Sequence, residues 1–315
     1  MVMKKSSIKK IIIGSRGSPL AKAQTRLVVK ALKIAHPGIV TETIIIKTTG
    51  DSVLDKPLTS IGGKGLFTKE IEAALLENRI DIAVHSAKDM ETRLPPSLTL
   101  AAVLPREDPF DVFLSLKGDS LASLPAGSKV GTTSPRRRAQ ILNSFPELDT
   151  VSLRGNVETR IKKLKDGNVD AILLALAGLR RLRLSPQGME VLGPELMLPA
   201  AAQGTIGIES RLGDEKIANL LAPICHFETM QATLAERALL RELGGSCYTP
   251  IGALAEHILG GKMRLRALIA DPNGKWLHRI ESTAIVSDAE SLGRKMGKEL
   301  RALVVETRGE KIFND

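Results

Sequence analysis

Two stretches of this chain read as copies of one folding unit, and that repetition narrows the architectures open to it. Ile11-Ile12-Ile13-Gly14-Ser15-Arg16, followed by Ser18-Pro19, leads into Leu20, Ala23, Leu27, Ala31 and Ala35 along one helical face. Lys129-Val130-Gly131-Thr132-Thr133, followed by Ser134-Pro135, leads into Ala139, Leu142 and Phe145. Both read as a strand, a glycine turn, a serine N-cap and a proline at the first helical position. A second echo follows each: Asn78-Arg79-Ile80-Asp81-Ile82-Ala83-Val84 resembles Asn168-Val169-Asp170-Ala171-Ile172-Leu173-Leu174, a helix exit feeding a short apolar strand. Apolar runs without alternation suit strands covered on both faces, as in parallel sheets. The pattern predicts two similar α/β domains whose facing strand ends leave a cleft, the usual ligand position for such sheets.

The remaining segments fill in around that pair. Gly50 to Gly65, rich in Gly, Ser, Thr and Asp, reads as a lid or a disordered loop before a helix over Leu66 to Asn78. Leu104-Pro105-Arg106-Glu107-Asp108-Pro109 reads as a crossing between domains, and a strand near Gly204 to Glu209 as a return to the first. After Phe227 the pattern changes to a helix reaching Leu243, strands over Ala253 to Ile258, Met263 to Ala270 and Trp276 to Ile285, and an amphipathic helix from Asp288 to Val305. That is a small α+β domain with an antiparallel sheet. The expected division is 1–104 with 205–222, then 105–204, then 223–315.

Charge alone does not choose a partner. The net charge of +10 admits nucleic acid, but 3% aromatic residues cannot supply stacking platforms for single strands. An anionic small molecule accounts for the balance equally well. Two cysteines give no disulfide framework and suit a reducing compartment. The apolar run Ile11-Ile12-Ile13 behind the N-terminal lysines is too short for a signal peptide, and no segment approaches a transmembrane length. A cytoplasmic protein bound to neither membrane nor nucleic acid is expected.

Several residues carry chemistry. Cys247 lies in the loop Gly244-Gly245-Ser246-Cys247-Tyr248-Thr249-Pro250-Ile251-Gly252, which reads either as a packed small hydrophobe or as a thiol that a bulky ligand can approach. Arg16, Arg136 and Arg137 stand at or just before helix starts, where the helix dipole disfavours a cation, so a bound anion is one explanation and solvated surface arginines the other. Ser18 and Ser134 cap those helices. Ser152-Leu153-Arg154-Gly155-Asn156 repeats the theme, with Arg160 about one turn into the next helix, and Arg180-Arg181 follow a strand expected to end at Gly178. Directly after the strand Ile82-Ala83-Val84 comes His85-Ser86-Ala87-Lys88-Asp89, where Asp89 beside Lys88 reads as a general acid/base or cation stabiliser, or as a helix cap. Metal-ligand spacing, a Walker-type loop and a Ser-His-Asp signature are all missing from the sequence.

These motifs, in this order, resemble the porphobilinogen deaminase (hydroxymethylbilane synthase) family over essentially the whole chain. The resemblance is carried by Arg16-Gly17-Ser18-Pro19-Leu20-Ala21, Gly62-Gly63-Lys64-Gly65-Leu66-Phe67, His85-Ser86-Ala87-Lys88-Asp89, Arg106-Glu107-Asp108-Pro109, Gly131-Thr132-Thr133-Ser134, Arg136-Arg137, Ser152-Leu153-Arg154-Gly155-Asn156-Val157, Leu198-Pro199-Ala200 with Gln203-Gly204, and the Cys247 loop. It implies two domains like type II periplasmic binding proteins flanking a cleft, plus a C-terminal α+β domain with a three-stranded antiparallel sheet that carries the cofactor loop. It implies a monomeric transferase that joins four porphobilinogen molecules head to tail into hydroxymethylbilane, releasing ammonia each time. The implied cofactor is a dipyrromethane held through a thioether to Cys247 and contacted by Arg136, Arg137, Lys88, Ser134 and Asp89. Arg16, Ser18, Arg154, Arg160, Arg181 and Phe67 are implied for substrate, and Asp89 with Lys88 for catalysis.

Few positions depart from the family's pattern: Thr49 where many relatives have a basic residue, Pro135 where some have Leu, and Ala202 where glycine is common. The competing reading is a non-catalytic binder of a polyanionic small molecule, which explains the arginines and gives Cys247 and Asp89 no task. Cys225 has no matched role and is expected to be buried.

Overall fold

The computed structural model of the protein describes residues 8–52, 65–245 and 249–309. Those residues form an α/β fold of two five-stranded sheets and one three-stranded antiparallel sheet. The chain divides into two compact units, one of residues 1–106 with 205–230 and one of 107–204 with 231–315.

In the first unit, β1 (Lys10–Ser15), β2 (Val40–Ile45), β3 (Ile82–Ser86) and β4 (Leu98–Val103) are joined by β10 (Ile206–Arg211), in the order β2-β1-β3-β10-β4. β1 runs parallel to β2 and β3, while β10 lies antiparallel between β3 and β4. The apolar runs are long because both faces of the sheet are covered. Ile11 and Ile13 pack with Val28 and Leu32 of the helix Pro19–Ala35, whereas Ile12, between them in sequence, faces Ile71 and Leu75 of the helix Lys69–Leu76. Cys225 packs, only partly buried, against the first of these cores.

The second unit repeats the arrangement. β5 (Asp111–Ser115), β6 (Lys129–Gly131), β7 (Asp149–Val151), β8 (Ala171–Ala175) and β9 (Met189–Leu192) take the order β7-β6-β8-β5-β9. Here β5 is the antiparallel strand, between β8 and β9. Phe113 and Leu173 pack toward Ile141 of the helix Pro135–Ser144, and Val112, Leu114, Ile172 and Leu174 toward Leu164 of the helix Val157–Lys165. Both sheets are therefore mixed rather than wholly parallel, each holding one reversed strand. The two echoed helix exits also match. Asn78 (φ 56°) and Gly167 (φ 74°) both take the left-handed conformation that ends a helix.

The same unit contains β11 (Ile251–Ile258), β12 (Lys262–Ala270) and β13 (Leu277–Ile285), antiparallel in that order. Leu265, Ala267 and Ile269 of β12 share a core with Ala235 and Leu239 of the helix Phe227–Glu242 and with Leu292, Met296 and Leu300 of the helix Ala289–Arg308. Among the described residues no helix is long and apolar enough to cross a membrane.

Candidate active site

Parallel strands in one sheet end at one edge, so β1, β2 and β3 deliver their following residues to a common rim. Arg16 and Ser18 follow β1. Ser18 caps the helix Pro19–Ala35, its Oγ accepting from Ala21 N at 3.2 Å. The short helix Ala87–Asp89 follows β3 and supplies Lys88 and Asp89. Asp89 closes that turn, so it caps no helix. Arg16, Ser18, Phe67, His85 and Asp89 line one cavity open to solvent, with Gln24 and Ser86 hydrogen-bonded to each other in its wall (Nε2 to Oγ, 2.8 Å).

Arg16 is held on two sides. Its Nε and Nη2 donate to the Asp51 carboxylate at 3.2 and 2.5 Å, and its guanidinium carbon lies 4.2 Å from the centre of the Phe67 ring. Burial on its own would raise the Asp51 pKa, but the hydrogen bond and charge of Arg16, with Thr48, hold it below the usual value. Behind the cavity His85 Nε2 meets Glu209 Oε2 at 3.0 Å, both side chains buried. Glu72 nearby is pushed up, chiefly by burial and further by the charge of Glu209.

The second unit uses the equivalent rim. The helix Pro135–Ser144 follows β6, with Ser134 Oγ accepting from Arg137 N at 3.4 Å. Arg136 and Arg137 are both buried and turn inward to the carboxylate of Asp111. After β7, Gly155 takes φ +124° and Asn156 caps the helix Val157–Lys165. Arg160 Nε donates to Gly155 O at 2.8 Å and Lys163 Nζ to Arg154 O at 3.1 Å, so this helix fixes the turn that carries Arg154.

Arg180 and Arg181 do not follow a strand directly, because β8 stops at Ala175. Leu176, Ala177, Gly178 and Leu179 are all buried, and they form the helix Leu176–Arg181, in whose last turn the two arginines lie. Arg181 Nη2 donates to Gly204 O at 2.5 Å, and burial pushes its pKa down to about 10, with Glu107 opposing.

Cys247 lies outside the described residues, as does most of the Gly50 to Gly65 stretch. The base of the cysteine loop is defined. Gly244 (φ +64°) donates to Arg241 O and Gly245 to Leu240 O, the paired bonds of a Schellman ending. A Cβ on Gly245 would stand 2.6 Å from Ile251 Cδ1, so the two sides of the loop meet at its root.

The structure thus gathers Arg16, Ser18, Phe67 and Asp89 in one cavity and sets Lys88 beside Asp89. It pairs Arg136 with Arg137, and it brackets one turn with Arg154 and Arg160. Residue patterns missed Gln24, Asp51 and Asp111. Gln24 is buried on the face of Ala21, Thr25, Val28 and Leu32, which is rotated from the expected face of Leu20, Ala23 and Leu27, since Leu27 is exposed.

Comparison with known proteins follows the same lines. Residues 11–219 match the family model "Porphobilinogen deaminase, dipyromethane cofactor binding domain", and residues 230–302 match "Porphobilinogen deaminase, C-terminal domain". The chloroplastic porphobilinogen deaminase of Oryza sativa subsp. japonica is 49% identical over 298 residues, 93% of this chain and 83% of that one. Solved structures with distant likeness include the methionine binding protein MetQ (15% identical, TM-score 0.44, covering 73% of this chain and 91% of that one). Another is the BenM effector binding domain with benzoate (18% identical, TM-score 0.44, covering 69% and 91%). Likeness that remote adds nothing to the fold read from the sheets. The two family models and the rice relative, which together span nearly the whole sequence, show that the chain belongs to the porphobilinogen deaminase family.

Proposed function

We propose that this enzyme performs its family's chemistry at Asp89, in the cavity that also holds Arg16, Ser18 and Phe67, with its dipyrromethane attached by a thioether to Cys247. The reaction is that of hydroxymethylbilane synthase, a transferase of tetrapyrrole biosynthesis that joins four porphobilinogen molecules and releases ammonia. When bound, the dipyrromethane supplies the primer to which the first substrate ring is added.

The residues fit such a group. Each pyrrole carries an acetate and a propionate, and the rims present arginines, whose planar forks match carboxylates. Arg136 Nε is buried with no hydrogen-bond partner among the described residues, a donor suited to one carboxylate more. Arg136, Arg137, Ser134 and Lys88 are assigned to the cofactor, and Arg16, Ser18, Arg154, Arg160 and Arg181 to substrate carboxylates. Phe67 holds the Arg16 guanidinium over its ring.

The observation that carries this reading is Asp89 at the end of the short helix after β3, lining the same cavity as Arg16. As ammonia leaves the substrate, positive charge spreads over the pyrrole, and a fixed carboxylate beside it stabilises that charge. The same carboxylate takes a proton from the pyrrole nitrogen and returns it, while Lys88 holds a carboxylate of the bound chain. A non-catalytic binder leaves Asp89 without a task.

The test is Asp89→Ala. The variant should fold, retain the dipyrromethane by intact mass, and lose turnover; turnover near that of the parent removes Asp89 from the mechanism. Peptide mapping should locate the added mass on the peptide containing Cys247, and a Cys247→Ser chain should carry none. We further take the enzyme to be a cytoplasmic monomer, consistent with its two cysteines, and light scattering checks its size.

A further inference from the structure

The interior of the second unit is unbalanced in charge. Asp111 opens β5 opposite Ala175, the last residue of β8, so it enters the sheet at the rim from which Arg136 and Arg137 approach. Its carboxylate is fully buried, and the two arginines are 4% and 5% exposed. Arg137 donates Nε and Nη2 to Asp111 Oδ1 at 3.2 and 2.7 Å, and Nη1 to Leu173 O at 2.8 Å. Arg136 Nη1 reaches Asp111 Oδ2 at 2.8 Å and Leu198 O at 2.7 Å. Gln203 Nε2 donates to the same Asp111 Oδ1 at 2.8 Å and to Pro109 O at 2.7 Å.

Two guanidinium ions therefore share one carboxylate, and Arg136 Nε meets no partner among the described residues. A cation out of water without its counter-charge is costly, so the arrangement favours the arrival of one more anion. The first unit is built differently. There β10 begins with Ile206 opposite Ser86, the last residue of β3, and Arg16 finds its carboxylate in Asp51, where both side chains are more than a fifth exposed.

We propose that Asp111 is a positioning residue for the arginine pair, held in register by Gln203, and that the pair is one negative charge short so that a dipyrromethane carboxylate completes it. This rests on the reading that Arg136 and Arg137 hold the cofactor. Asp111 itself touches no ligand. It fixes which edge of each guanidinium points inward, and so which donors are left facing the cofactor.

The experiment compares cofactor-free protein, made in a host lacking porphobilinogen, before and after incubation with porphobilinogen. Two quantities are read: the melting temperature of the free form and the added mass after incubation. Arg136→Gln leaves Arg137 and Asp111 as a balanced pair, so its free form should melt at or above the parent's temperature while uptake is lost. Asp111→Asn should lower the free form's melting temperature and slow uptake roughly tenfold or more, the scale of one charge-assisted hydrogen bond. If Asp111→Asn does not fold, Gln203→Met carries that arm, keeping the charges, releasing the carboxylate and slowing uptake. A free Arg136→Gln protein that melts well below the parent makes the network merely structural and overturns the proposal. Parent-like uptake by whichever of Asp111→Asn and Gln203→Met carries the second arm also overturns it. Parent-like uptake by Arg136→Gln overturns instead the reading that the arginine pair holds the cofactor.

Discussion

Arg16 meets Asp51 along its Nε–Nη2 edge and lies over the Phe67 ring, and each contact restrains a side chain that otherwise has many rotamers. Preorganisation of this kind lowers the entropic cost of catching a carboxylate. Arg16→Lys keeps the charge but loses the planar fork. We expect the KM for porphobilinogen to rise by about tenfold, one charge-assisted hydrogen bond, with the cofactor mass unchanged. An unaltered KM would take Arg16 out of the substrate site. A second outcome concerns acid. Burial would raise the Asp111 pKa, but Arg136 and Arg137 pull it far below the 3.8 of an unperturbed Asp. A depressed carboxylate stabilises the fold fully above its unfolded pKa and loses that contribution as pH falls toward the folded one. Urea midpoints should therefore drop below about pH 4 in the parent, and the drop should be shallower in a folded Asp111→Asn protein. These acids were hard to find in sequence. Asp111 is one of several acids near the crossing, and its partners lie 25 and 26 positions on, met only through sheet pairing. The Arg136-Arg137 run was legible; its inward turn was not, because the carboxylate that draws it in comes from another strand.

At the scale of elements, period and punctuation carried most of the information. Ser18, Ser134 and Asn156 cap the helices expected of them, and the three C-terminal strands lie within a few residues of their expected bounds. The failure at Gly178 is instructive. Eight apolar or small residues after Asp170 read as one long strand, but Leu176, Ala177 and Gly178 already belong to the short helix, whose buried residues need no alternation. The reversed strands were equally invisible, since a short apolar strand has no direction in its composition. The helix Ala289–Arg308 offers a direct check on packing. A Cβ at Gly293 would stand 2.0 Å from Ala235 O, and one at Gly297 would stand 2.9 Å from Leu239 O. Gly293→Ala must push two helices apart, and we expect a loss of about 1–3 kcal/mol in denaturant unfolding, the usual scale of overpacking. No loss would mean that the helices do not approach so closely.

Across the whole molecule, a net charge of +10 meets a substrate whose rings each bring carboxylates. Long-range attraction of that kind is screened within about 10 Å at 0.1 M salt. Raising the ionic strength should therefore raise the KM for porphobilinogen and leave kcat nearly unchanged, and a salt-independent KM would mean that local contacts alone capture the substrate.

The position of β10 bears on how the polypeptide is made. It lies between β3 and β4, yet the ribosome adds it only after the whole of residues 107–204. The five strands of the second large sheet, by contrast, come from one uninterrupted stretch. A nascent chain halted at residue 106 would hold four strands, with β4 parted from the other three by the gap that β10 later fills. The segment that emerges first is thus among the last to reach its final form, and until then its open strand edges are exposed to whatever binds unfinished chains.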